Sequence, residues 1–167
     1  MGRPQTVESD VAALGDSLRA RGWKLTAAES CTGGLIAAAC TAPAGASDWF
    51  ERGFVTYSNA AKCELLGVPS RLIDQHGAVS AEVACAMALG ALANSRAELA
   101  VAVTGIAGPA GATPGKPVGT VWLALARRGA AARAERLQLQ GDRAAIRAQT
   151  VQHALARLRE WAAGVEA

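Results

Sequence analysis

The residues AAESCTGG at positions 27–34 read as the end of a buried strand turning into the start of a helix. An apolar run leads into them, and a second, Leu35-Ile36-Ala37-Ala38-Ala39, leads away. Between the two runs lie a carboxylate, a hydroxyl, a thiol, a second hydroxyl and two glycines. A junction of this kind belongs to α/β architecture. The helix that follows offers unpaired N–H groups and a partial positive charge at its start. Two readings fit the stretch equally. It is a site built around Ser30, or Ser30 or Thr32 merely caps the helix that Gly33 and Gly34 begin.

Working outward, Val7, Val11, Leu14 and Leu18 fall at helical spacing and predict an amphipathic helix over 6–20, ended by Arg21-Gly22. A strand over 23–28 and a helix over 33–41 flank the opening motif, and Pro43-Ala44-Gly45 breaks that helix. Residues 47–50 read as a turn and 54–57 as a second strand. Ser58-Asn59 caps a helix over 60–66 that Gly67 and Pro69 stop, and a helical turn follows at 69–75. Ser80 heads a helix over 81–94 with Glu82 in its first turn. LAVAVT at 99–104 is continuously apolar, as a strand buried on both faces must be, and runs into a glycine-rich loop over 105–117. Strands over 118–126 and 133–140 form an antiparallel hairpin. The closing helix spans 142–162, with Ile146, Val151, Ala154, Leu155, Leu158 and Trp161 as its inward stripe. The order of elements predicts a single domain over 1–167, a three-layer α/β/α sandwich with a mixed central sheet.

The bulk numbers narrow the function. A chain of 167 residues, 51% hydrophobic and 19% charged, is globular. The net charge of +3 is modest and its basic residues are scattered. The densest group, Arg127-Arg128 with Arg133 and Arg136, surrounds the hairpin and has no aromatic stacking groups beside it. This argues against a nucleic-acid partner. Cysteines 31, 40, 63 and 85 form no C-x-x-C pair and have no histidine at ligand spacing, which argues against a metal site and against a disulfide framework. Free thiols point to a reducing cytoplasm. No apolar leader or membrane-length run is present, so no membrane partner is expected.

Two loops therefore collect the candidate chemistry, the one carrying Ser30 and the one after Thr104, both at the carboxyl ends of buried strands where open α/β sheets bind ligands. Gly105–Lys116 matches neither the Walker spacing nor G-x-G-x-x-G; the second loop could be a plain surface turn. A serine nucleophile needs a base. Neither of the two histidines, His76 and His153, is placed for a triad, and no G-x-S-x-G elbow occurs. Only three lysines stand against fourteen arginines. Of these Lys62, one helical turn beyond the second strand, is best placed to meet Ser30, provided burial lowers its pKa. Its plainer reading is a solvated helix residue. Cys31 competes with Ser30 but should point away from it. Arg143 and Arg147, four apart on one helix face, have a spacing suited to a phosphate or carboxylate, or form an ordinary solvated face.

Five ordered stretches together resemble the CinA C-terminal domain family: AESCTGG at 28–34, VTYSNAAKCELLGV at 55–68, VSAEVACAMA at 79–88, TGIAGPAGATPGKPVGTVW at 104–122 and GDRAAIRAQT at 141–150. That family includes stand-alone nicotinamide-nucleotide amidases of the PncC type. The resemblance implies hydrolysis of the carboxamide of nicotinamide mononucleotide, without metal or cofactor, by an α/β/α domain often found as a homodimer. It makes Ser30 the nucleophile and Lys62 its base, with Tyr57 orienting Lys62 or relaying a proton. Backbone N–H groups near Thr32, Gly33 and Gly34 are expected to hold the oxyanion. Thr104, Gly105 and their loop are expected to line the nucleotide pocket, and Arg143, less surely Arg147, to meet the phosphate or support the site. Longer relatives carry an additional N-terminal domain, which is not expected here. Ala110, Ala112 and the leucines at 137 and 139 depart from the family's habit. A nucleotide-binding module without turnover, or an amidase for another small carboxamide, are the alternatives.

Overall fold

The computed structural model describes residues 5–165. Five strands form one sheet in the order β2-β1-β3-β4-β5. Their spans are β1 (Leu25–Glu29), β2 (Phe50–Val55), β3 (Leu99–Gly105), β4 (Thr120–Arg127) and β5 (Arg133–Gln138). β1 is parallel to both β2 and β3, whereas β3–β4 and β4–β5 are antiparallel. The sheet is mixed, as the sequence predicts. Helices α1 (Val7–Arg21), α2 (Leu35–Thr41) and α6 (Arg143–Ala162) cover one face, and α3 (Asn59–Leu66), α4 (Ser70–His76) and α5 (Ala81–Ala93) the other.

Side-chain alternation along the strands divides the core by size. Leu25, Ala27, Leu99, Val101, Val103, Leu123 and Leu125 point toward α1 and α6, which answer with Leu14, Leu18, Leu155, Leu158 and Trp161. On the other face the fully buried hydrophobic strand residues are alanines, Ala28, Ala100, Ala102, Ala124 and Ala126, with Phe54 and Trp122 packed at the margin. These small residues let α5 lie close, through Ala84, Ala88 and Ala91. The C-terminal turn of α3 presses on α5 in its turn, and a Cβ at Gly90 would run into the Leu66 carbonyl. The predicted stripe of α6 is buried at all six named positions.

Three local expectations are corrected. The second strand is Phe50–Val55, preceded by a 3-10 turn at Ala46–Asp48, rather than 54–57. β2 is an edge strand whose residues are all half-buried or exposed, so its sequence lacks the apolar run that marks β3. The helix after the opening motif begins at Leu35, not 33, because Gly33 and Gly34 hold φ of 58° and 107°, outside helical space. The last strand stops at Gln138, two residues early: the Leu139 N–H pairs instead with Gly119.

Candidate active site

Strand order turns at β1, whose two neighbours both run parallel to it. The carboxyl ends of β1, β2 and β3 therefore open on one crevice, the position where α/β sheets hold ligands. β1 delivers Ser30, the end of β2 delivers Thr56 and Tyr57, and β3 delivers Thr104 and Gly105. A cleft there is lined by Ser30, Cys31, Tyr57, Lys62, Thr104 and Arg143, among others.

At its floor Lys62 Nζ donates to Ser30 Oγ (3.1 Å), to the Thr56 carbonyl (3.0 Å) and to the Tyr57 carbonyl (3.2 Å). Ser58 caps α3 by accepting the Ala61 N–H (3.0 Å), which aims the helix so that Lys62 turns inward. Lys62 is 1% exposed and Ser30 8%. The solvated-lysine reading is thereby excluded. Desolvation holds the Lys62 ammonium below its ordinary pKa of 10.5, against small opposing effects of Cys31 and Cys63. No carboxylate pairs with it among the described residues. When the amine is neutral, two N–H bonds suffice for the two carbonyls. The lone pair then faces the serine hydroxyl, which suits it to take that proton.

The turn after Ser30 is gripped from two sides. Glu29, 1% exposed, accepts Thr32 Oγ1 (2.6 Å), the Ile36 N–H (2.8 Å) and the Ala37 N–H (3.0 Å). The α2 cap is thus the carboxylate of Glu29; neither Ser30 nor Thr32 caps it, and Gly34 at the N-cap position has no side chain to do so. Arg147 donates from Nε to the Cys31 carbonyl (3.1 Å) and from Nη2 to the Thr32 carbonyl (3.2 Å). Of the turn's N–H groups, Ser30 donates to Val103 O, Gly33 to Ser30 O and Leu35 to Thr32 O. Those of Cys31, Thr32 and Gly34 have no backbone acceptor among the described residues.

The remaining residues sort by reach. Tyr57 meets Lys62 through its backbone carbonyl, while its exposed phenol accepts from Arg143 Nη2 (3.2 Å). Arg143, the first residue of α6, also donates to Gly108 O (2.9 Å), which ties the glycine-rich loop to the cleft. Arg143 and Arg147 share a helix but not a site: Arg147 is spent on the turn and does not line the cleft. Thr104 Oγ1 donates to Ala78 O (2.9 Å). A Cβ at Gly105 would crowd Val121 Cγ2 (2.6 Å) and Cys31 Sγ (3.2 Å), so only glycine fits. Cys31 lines the cleft instead of pointing away, but burial pushes its thiol up to about 11, leaving it protonated and weakly nucleophilic. Lys116 Nζ donates to His76 O (2.8 Å), outside the cleft. Asn59, which the sequence offers only as part of a helix cap, also lines the cleft; it precedes Lys62 by three residues, a spacing that places both on one helix face. Among the described residues no group of His, Cys, Asp and Glu is placed to hold a metal ion, and no helix is long and apolar enough to cross a membrane.

Comparison with known proteins places the chain in a family. Residues 7–162 match the CinA C-terminal domain. The chain is 55% identical over 136 residues to the nicotinamide-nucleotide amidohydrolase PncC of Enterobacter agglomerans, covering 81% of this chain and 83% of that one. It is 57% identical over 142 residues to the protein of the same name from Pseudomonas putida, covering 85% and 88%. The crystal structure of competence damage-inducible protein A (ComA) from Klebsiella pneumoniae superposes with a TM-score of 0.92 at 40% identity, over 97% of this chain and 100% of that one. The fold, the spacing of the five motifs and these similarities agree: the chain belongs to the CinA C-terminal domain family.

Proposed function

We propose that this chain is a nicotinamide-nucleotide amidase that converts nicotinamide mononucleotide to nicotinate mononucleotide and ammonia through a Ser–Lys pair. The observation that carries the reading is the buried 3.1 Å contact between Lys62 Nζ and Ser30 Oγ. The names of the PncC relatives, at 55% and 57% identity, supply the substrate.

In this mechanism the neutral Lys62 amine takes the Ser30 proton as Oγ bonds to the amide carbon. The carbonyl π pair moves onto oxygen, giving a tetrahedral oxyanion. Lys62 then returns the proton to the nitrogen, which leaves as ammonia, and the acyl-enzyme remains. Water attacks this ester, Lys62 again takes and returns one proton, and nicotinate mononucleotide departs with Ser30 regenerated. Thr104 and Gly105 line the nucleotide pocket. Arg143, with three N–H donors still uncommitted after its bonds to Tyr57 and Gly108, meets the phosphate. Tyr57 acts by its carbonyl on Lys62 and by its phenol on Arg143. Four free cysteines suit a reducing cytoplasm, and a homodimer is the expected assembly, testable by light scattering.

The deciding experiment incubates the protein with nicotinamide mononucleotide and assays ammonia. Turnover that disappears in Ser30→Ala is expected. Binding without ammonia release would mark a nucleotide-binding module instead, and preference for free nicotinamide would mark a different carboxamide.

A further inference from the structure

Arg147 stands one helical turn beyond Arg143, yet it turns away from the cleft and onto the backbone of the nucleophile's turn. Its Nε and Nη2 hold the carbonyls of Cys31 and Thr32 at 3.1 and 3.2 Å. It forms no salt bridge with a carboxylate among the described residues, although Glu29 lies across the same turn.

The C=O and N–H of a trans peptide point in opposite directions. A cation on the Cys31 carbonyl therefore fixes where the Thr32 N–H points and draws electron density from it, since hydrogen-bonded groups polarise one another. The Thr32 N–H, like those of Cys31 and Gly34, has no backbone acceptor among the described residues, whereas Ser30, Gly33 and Leu35 each donate to a backbone carbonyl. On the far side Glu29 clamps the Thr32 hydroxyl at 2.6 Å, so the peptide cannot swing to answer the pull. The helix dipole of α2 is not available for a second anion, because Glu29 already occupies that N-terminus.

We infer that Arg147 is a positioning residue: by holding the Cys31 and Thr32 carbonyls it presents the Thr32 N–H to the substrate oxygen that becomes negative when Ser30 attacks. The inference rests on Ser30 being the nucleophile. It differs from a phosphate-gripping role for Arg147, in which the guanidinium would touch substrate and loss would be felt in binding.

Arg147→Met and Arg147→Lys are compared with wild type on nicotinamide mononucleotide and on nicotinamide riboside, which has the same amide and no phosphate. Removing one oxyanion donor costs about 100-fold or more in kcat, and Arg147→Met is expected to lose on the order of that factor. KM should stay within about twofold and the fractional loss should be the same on both substrates. Arg147→Lys, which keeps a cation, should recover part of the rate, and added guanidinium should do the same for Arg147→Ala. Unchanged kcat in Arg147→Met, or a rise in KM confined to the phosphorylated substrate, would overturn the inference. A second measurement does not need the proposed substrate. Ser30 is labelled by a fluorophosphonate, whose phosphoryl oxygen takes the place of the oxyanion, and labelling is followed by mass. The labelling rate should fall in Arg147→Met by a comparable factor, and an unchanged rate sinks the idea. If wild type is labelled at Ser30 but releases no ammonia, only the substrate assignment fails. If Ser30 of the wild type is not labelled at all, the nucleophile assignment fails and takes this inference with it.

Discussion

Lys62 is the residue at which function and stability pull apart. Its ammonium is charged in the unfolded chain at neutral pH but desolvated in the folded one, with its pKa lowered from 10.5. Between the folded pKa and 10.5 the unfolded state binds more protons, so stability contributed through Lys62 rises with pH across that window. Activity should rise through the folded pKa as the neutral base appears. Lys62→Met should lose turnover at every pH while its unfolding free energy lacks this rise with pH, read by urea titrations at several pH values. A variant that keeps turnover removes the mechanism. Scarcity made Lys62 legible in the sequence: with few lysines and no usable histidine, the base had few places to be. The partners of Tyr57 and Arg147 were not legible, because letters give a side chain's position on an element but not whether its backbone or its tip makes the contact. Tyr57 serves Lys62 by a backbone carbonyl, which any residue at that position would supply.

At the scale of elements, junctions decide more than the elements themselves. Glu29 caps α2 from the preceding strand, across two positive-φ glycines, and no capping rule written in sequence offsets would have found it. Glu29→Gln keeps the shape but loses the charge and one acceptor; about 1–2 kcal/mol should be lost in chemical unfolding, with kcat falling as the Thr32 tether weakens. An unfolding midpoint equal to wild type would contradict the cap. Gly90 makes the opposite point to helix propensity. Alanine at a mid-helix glycine normally stabilises, by up to about 1 kcal/mol. Here its Cβ would strike the Leu66 carbonyl, so Gly90→Ala should destabilise by about 1–3 kcal/mol. A higher melting temperature would show that α3 and α5 can part at little cost. The helices and β3 were legible because their periodicity or continuous apolarity reports burial directly. β2 was displaced by several residues because an edge strand, FERGFV, carries neither signal.

Across the whole molecule, one face of the sheet buries bulky side chains and the other mainly alanine, and the cleft opens at the carboxyl ends of β1, β2 and β3. Ser30, Lys62, Thr104 and Arg143 come from four separate elements, so the site exists only in the assembled fold and ligand binding must be coupled to global stability. That coupling can be measured without catalysis. In Ser30→Ala the proposed substrate should bind without turning over, and a ligand at 100 times its dissociation constant stabilises by about 2.7 kcal/mol. For a domain of this size each kcal/mol moves the melting temperature by about 2–4 °C. Nicotinamide mononucleotide should therefore raise the melting temperature of Ser30→Ala by several degrees. Nicotinamide riboside, which lacks only the phosphate, should do far less at equal concentration. Adding Arg143→Ala should erase most of the difference between the two ligands, because Arg143 is the cleft-lining cation with donors to spare. Equal shifts from both ligands would remove the phosphate from recognition and with it the role of Arg143. A shift from the nucleotide that survives Arg143→Ala would move the phosphate to another part of the cleft edge while leaving the Ser–Lys chemistry in place.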